Sequence, residues 1–201
     1  MKLVLASNNI GKLNEFKMLF AGSGIEVHPQ NAWSIQDAEE TGLTFIENAL
    51  IKARHACLMT KLPAIADDSG LAVDALMGAP GIYSARFASR AGDAQACNEK
   101  LLRELASVPP TQRHARFHCV LVYMQHAQDP TPIIAHGIWE GVILSHPQGI
   151  GGFGYDPLFF DPVLQRSAAQ LSSSEKNRVS HRGKAMRQLI HLLKDIHHVS
   201  A

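Results

Sequence analysis

Two aspartates stand side by side in the stretch IADDSGLAVD, residues 65–74, with short apolar runs on both sides. In an extended strand successive side chains point to opposite faces, so Asp67 and Asp68 meet different surroundings. One then pairs or caps locally while the other projects from the strand end. Carboxylates this close repel by roughly 1–3 kcal/mol at an intermediate dielectric unless a cation lies between or beside them. Magnesium is the usual hard cation for carboxylate oxygens that work with phosphates. The letters DDSG also spell an ordinary turn between two strands, and on local grounds both readings stand.

Three other stretches carry residue types of the same chemistry. ASNNIGK, residues 6–12, lies between a strand and a helix, where backbone N–H groups and Lys12 make an anion site. It is not a Walker A loop, which requires glycine in place of Ala6 and Ser or Thr in place of Leu13. Ser7 and Asn9 serve equally well as helix caps. In EETGLTFIENA, Glu47 has a structural task as the capping-box partner of Thr44, whereas Glu39 and Glu40 precede the helix in a loop that ends at Gly42. In SSSEKNRVSHRGKAMRQ, Ser172 with Glu175 resembles a capping box and Ser180 a second cap. His181 and Arg182 then fall in the first turn of the last helix, where cations oppose the dipole. A docked anion relieves that cost; a solvated basic face accounts for Arg178 and Arg187 but poorly for the SHR group. GGFGYD adds glycines around Phe153 and Tyr155, a platform for a flat ring. Phosphates, a metal and an aromatic ring together describe a nucleotide.

These residues need elements to hold them. Lys2–Ala6 reads as a first strand, followed by a helix with Leu13, Phe16, Leu19 and Phe20 at helical spacing. A second helix starts at Thr44 with Phe45, Ala49, Ala53, Ala56 and Cys57 near one face. Strands flank DDSG, MGAPGIYSARF is loop or broken structure, and DAQACNEKLLRELA is a helix that ends before Pro109 and Pro110. Residues 115–124 form a strand, IIAHGIW and GVIL two more, and GIGGFGYDPLFF leads into another. From about Ser172 the tail is helical to His198. Interleaved helices and strands, with consecutive strands after residue 115, predict an α/β fold with a mixed sheet. No repeat or linker divides the 201 residues, so one domain with two lobes is expected.

Composition removes several classes. Nineteen Lys and Arg against 18 Asp and Glu leave no basic excess for nucleic acid or a membrane surface. No apolar run spans a bilayer, and the run Leu3 to Ala6 is too short for a secretion signal. Cys57, Cys97 and Cys119 are scattered and odd in number, which suits free thiols in a reducing cytoplasm. His114 and His118 fall on a strand without a nearby cysteine or carboxylate, and His197 and His198 end the last helix, so none of the four is read as a metal ligand.

In order, the stretches ASNNIGKLNE, EETGLTFIENALIKA, ADDSGLAVDALMGAPGIYSARF, GGFGYDPLF and EKNRVSHRGKA resemble the inosine triphosphate pyrophosphatase family and cover nearly the whole chain. The resemblance implies an elongated mixed β-sheet flanked by helices, with two lobes and a central cleft, in a homodimer. It implies magnesium-dependent hydrolysis of ITP, dITP and XTP to the monophosphate and pyrophosphate, clearing deaminated purines from the nucleotide pool. By the same resemblance Asp68 is the catalytic carboxylate and a magnesium ligand, and Glu40 is a second acid at the metal. Ser7, Asn8, Asn9, Ile10, Gly11 and Lys12 hold phosphates with Ser69 beside them. Phe153, Gly154, Tyr155, Asp156, Lys176, His181 and Arg182 hold the nucleoside. Asn8 departs from the pattern, since many members carry glycine there. A non-catalytic purine nucleotide-binding protein is the alternative, and it would require the loss of a chemical residue; none of the expected ones is missing.

Overall fold

The structure is a computed structural model; it describes residues 2–22, 24–88 and 93–197, with residues 19 and 195–197 described by backbone alone. The strands are β1 (Lys2–Leu5), β2 (Glu26–Pro29), β3 (Ala64–Val73), β4 (His114–Met124), β5 (Ile133–Ile143), β6 (Phe159–Asp161) and β7 (Arg166–Ser167). The helices are α1 (Ile10–Leu19), α2 (Phe45–Thr60), α3 (Ala94–Glu104), α4 (Ser173–Val179) and α5 (His181–His197). The seven strands form one sheet in the order β2-β1-β3-β4-β5-β6-β7. Its beginning is parallel, β1 pairing with both β2 and β3, and its end antiparallel, β5 with β6 and β6 with β7. The mixed α/β sheet expected from the sequence is the one found.

Two compact units make up the chain. The first comprises residues 1–68, 120–136 and 185–201, the second residues 69–119 and 137–184. In the first, Ala49, Ala53 and Ala56 of α2, spaced four and three apart, face Val4 of β1 and Ala64 and Ala66 of β3. Side chains this small bring the helix axis close to the sheet. In the second, the core is large and aromatic: Phe117, Trp139 and Phe159 pack with Leu71, Leu101 and Leu158. Phe117 and Phe159 have ring centroids 4.5 Å apart, and the Trp139 indole donates to Asp161 Oδ2 at 2.8 Å, which satisfies its buried N–H.

Several expectations are corrected. The DDSG stretch is not a turn between two strands: β3 runs unbroken from Ala64 to Val73, so the aspartates lie inside a strand and not at its end. IIAHGIW and GVIL are likewise one strand, β5, which continues through Gly141. A Cβ at Gly141 would lie 2.6 Å from Phe159 Cζ, so the glycine marks where that ring crosses the backbone, not a break. EVHP of β2 was not anticipated, being only four residues long. MGAPGIYSARF contains a 3-10 helix at Gly81–Arg86, and Pro80 bridges to Ala72. The reading of Ser180 as a second cap holds: the tail is helical in two pieces, the serine's extended backbone (φ −68°, ψ 158°) ending α4 and its Oγ accepting from Gly183 N at 3.1 Å to start α5. His198 lies outside the described residues.

Candidate active site

The first group of candidate residues belongs to the first unit. Asn9 is the N-cap of α1, its Oδ1 accepting from Lys12 N at 3.1 Å, and Ser7 Oγ accepts from Asn9 N at 3.2 Å. The caps anticipated for ASNNIGK therefore form, and they leave Lys12 one turn into the helix. Asn8 Nδ2 donates to Asp37 Oδ1 at 3.0 Å, while Ile10 and Gly11 are exposed. Lys12 reaches the strand: its Nζ is 2.6 Å from Asp67 Oδ2, and Asp67 is only 1% exposed.

Asp68 points to a second lysine. Lys52 of α2 places its Nζ 2.9 Å from Asp68 Oδ1 and 2.7 Å from Glu40 Oε1. Each neighbouring aspartate thus has its own ammonium, carried in by a different helix. Glu40 is brought into range by a close approach of backbone to helix. Gly42 N donates to Asn48 Oδ1 at 2.8 Å, and a Cβ on Gly42 would meet Glu47 Cβ at 2.5 Å. The Thr44–Glu47 capping box, complete as the sequence suggested, anchors the same corner. Hydrogen bonding from Thr44 and from the Leu43 N–H holds the Glu47 carboxyl below the usual value.

Burial pushes the Asp68 carboxyl above the ordinary range; Lys52 draws it back, and Glu40 and Asp67 add to the rise. Burial also opposes the charge on Lys52, yet Asp68, Asp67 and Glu40 together raise its pKa. A carboxylate raised in this way is a better proton acceptor near neutral pH. Asp68 Oδ2 is buried with no hydrogen-bond partner. With Oδ1 and Glu40 Oε1 already converging on one ammonium, the donor set is all oxygen and fits a hard divalent cation. Among the described residues no group of three or more His, Cys, Asp or Glu side chains is placed to hold a metal ion.

The second group belongs to the second unit. The Phe153 ring is 62% exposed, with Lys176 Nζ 4.5 Å and Arg182 Cζ 5.7 Å from its centroid. Asp156, 2% exposed, pairs with Lys176 and accepts from Phe153 N at 2.8 Å, which closes the loop on itself. Gly152 makes this possible: it has φ +74°, and a Cβ there would stand 2.1 Å from Asp156 Oδ2. Tyr155 does not share the exposed platform. Its ring is buried and its hydroxyl donates to Ser84 O at 2.8 Å, burial driving its pKa upward. Gly154 is held through its carbonyl, which accepts from Asn98 Nδ2 at 2.9 Å. His181 is buried and stacked on Phe117, centroids 4.8 Å apart, and Arg182 is buried beside it in sequence. Ser69 is half-buried on β3, directly after Asp68. A hollow of about 470 Å³ opens beside the loop, lined among others by Asn98 and Leu102 of α3 and by Ile150 and Phe153.

Sequence reasoning missed Lys52, Asn98 and Ser84, and left the partners of Asp67 unassigned. Lys52 had one legible signal: with Asn48 it sits four apart at the margin of the alanine face of α2, where a polar side chain is half withdrawn from water. The three cysteines are free and buried, as expected, and burial pushes the Cys57 thiol up to about 11. His114 and His118 lie on β4.

Paired lysine–carboxylate contacts on a strand of an α/β sheet, a capped loop before a helix and a cation-flanked aromatic loop suit a protein that handles phosphates. The sequence matches the Ham1 family over residues 3–192, and the chain belongs to that family. It is 57% identical over 188 residues to a dITP/XTP pyrophosphatase of Xylella fastidiosa, covering 94% of each chain. It is 57% identical over 194 residues to a dITP/XTP pyrophosphatase of Yersinia pseudotuberculosis, covering 96% of this chain and 98% of that one. A HAM1 protein from Coxiella burnetii superposes with a TM-score of 0.93 at 48% identity, covering 97% of this chain and 99% of the other.

Proposed function

We propose that this chain hydrolyses the triphosphates of deaminated purines, dITP, ITP and XTP, to the monophosphate and pyrophosphate, and so removes them from the nucleotide pool. The relatives at 57% identity carry the name dITP/XTP pyrophosphatase, which supports the activity. The observation that carries the chemistry is the pair of buried lysine–aspartate contacts on consecutive residues of β3, with Glu40 drawn in by Lys52.

The roles follow from charge. A triphosphate repels an incoming nucleophile, and Lys12 with the N–H groups at the start of α1 offsets that charge. Asp68 accepts a proton from water as its oxygen attacks the α-phosphorus; the bond to the bridging oxygen breaks and its electron pair leaves with pyrophosphate. Glu40 and Asp68 would hold magnesium, which would supply electrostatic stabilisation of the phosphoryl oxygens. Phe153 stacks on the base, and Arg182 and His181 supply donors. A 6-oxo purine offers an acceptor where adenine offers an amino donor, so a donor left unpaired against adenine favours the oxo form. Ser7, Asn8, Asn9, Ile10, Gly11 and Ser69 line the phosphate end, and Gly154, Tyr155, Asp156 and Lys176 shape the base loop. The family resemblance supports a homodimer, which sedimentation velocity tests. Among the described residues no helix is long and apolar enough to cross a membrane.

A panel of nucleoside triphosphates with magnesium, scored for pyrophosphate against orthophosphate, tests the reading. Pyrophosphate from dITP and XTP, with little from dATP, is expected; orthophosphate as the product would overturn it.

A further inference from the structure

Lys52 stands where the two proposed metal ligands converge. Its Nζ lies 2.7 Å from Glu40 Oε1 and 2.9 Å from Asp68 Oδ1, and its side chain is 15% exposed. It is no surface lysine that happens to meet an acid: α2 is seated close to the sheet by alanines, and its ammonium is aimed at a strand interior. Around it are three carboxylates, Glu40, Asp67 and Asp68, against two ammoniums, Lys12 and Lys52. Removing one ammonium leaves carboxylates facing each other in a buried place, where charge is poorly screened.

We propose that Lys52 is a positioning residue that stands in for the divalent cation: it holds Glu40 and Asp68 together before metal arrives, and the metal must displace it from these oxygens to bind. The proposal rests on the reading that Glu40 and Asp68 are the metal ligands. Magnesium takes oxygen ligands at about 2.0–2.1 Å and would compete with the ammonium for the Glu40 and Asp68 carboxylates. The lysine therefore has two opposed effects. It preorganises the acidic pair, and it weakens metal uptake by the nucleotide-free protein. An ion pair with a merely structural task would not have the second effect.

Titration of Mn2+ into nucleotide-free protein, followed by calorimetry, tests this with wild type, Lys52→Met and Lys52→Arg. Lys52→Met, which keeps the bulk and loses the charge, is expected to bind Mn2+ more tightly, on the order of tenfold. Lys52→Arg, which keeps the charge, is expected to stay within about twofold of wild type. Equal or weaker binding by Lys52→Met overturns the proposal. Should Lys52→Met fail to fold, acetylation of Lys52 in wild type, mapped by peptide mass spectrometry with and without saturating Mn2+, decides the matter. Displacement predicts faster acetylation with the metal bound, and an unchanged or slower rate contradicts it. Absence of Mn2+ uptake by all three proteins would overturn the metal reading itself, and this proposal with it.

Discussion

The two groups of candidate residues, one in each compact unit, are built on opposite principles. In the first unit the cluster under α2 is mostly alanine and valine, and the candidate groups are charges held in pairs on a strand and two helices. In the second unit the core is aromatic, and the functional groups sit on a glycine loop and at a helix start. The difference teaches where each task can be done. Small side chains under α2 shorten the distance from helix to strand until an ammonium can reach a buried carboxylate. Charge chemistry needs that fixed, water-poor setting. Base recognition needs an exposed flat face, which Phe153 offers, with the loop pinned by Asp156, Asn98 and Ser84.

If that division holds, perturbing the first group stops turnover and perturbing the second changes substrate affinity or choice. Metal removal should have the largest effect: excess EDTA should abolish dITP hydrolysis and added magnesium restore it, while persistent turnover would break the first half of the comparison. Gly152→Ala forces a Cβ onto Asp156 Oδ2 in a left-handed conformation costing about 1–2 kcal/mol. The expected result is a rise in KM for dITP of about tenfold with kcat little changed. A fall in kcat alone would assign the loop to the chemical step. Arg182→Ala should lower the preference for dITP over dATP by about tenfold, read as the ratio of kcat/KM values. Unchanged selectivity would remove Arg182 from base choice.

The smallest effect concerns the support of the second half. Glu175 closes the capping box of α4, and hydrogen bonding from Arg166, then from Ser172, lowers its pKa from the ordinary 4.5 to about 2. A depressed carboxylate stabilises the fold above its unfolded value, and the contribution fades as pH falls through the folded one. The melting difference between wild type and Glu175→Gln should therefore be present at pH 7 and shrink between pH 4.5 and about 2. A difference that does not change with pH would show that charge is irrelevant at this cap.

Local signals were legible in the sequence and tertiary ones were not. Thr44 with Glu47, Asn9 and Ser172 with Glu175 announced their helices, because a cap is a contract between residues three apart. DDSG leaves a turn open on local grounds because Asp, Ser and Gly favour turns in isolation. The aspartates inside the strand are paired with Lys12 and Lys52, 55 and 16 residues away in sequence from their partners. The same remoteness hid the division between Phe153 and Tyr155. Both are aromatic residues of one glycine-rich loop, but Tyr155 packs into the core and bonds to Ser84 while Phe153 stays exposed. The family motifs named candidate residues, but which lysine meets which aspartate is visible only in the structure.

The central claim is that Asp68 activates the water that cleaves the triphosphate. Single-turnover hydrolysis of dITP by Asp68→Asn, with dITP binding measured separately, tests it most directly. The account predicts a rate lower by about 10²–10⁴-fold with dITP still bound, whereas a rate within about tenfold of wild type would contradict it.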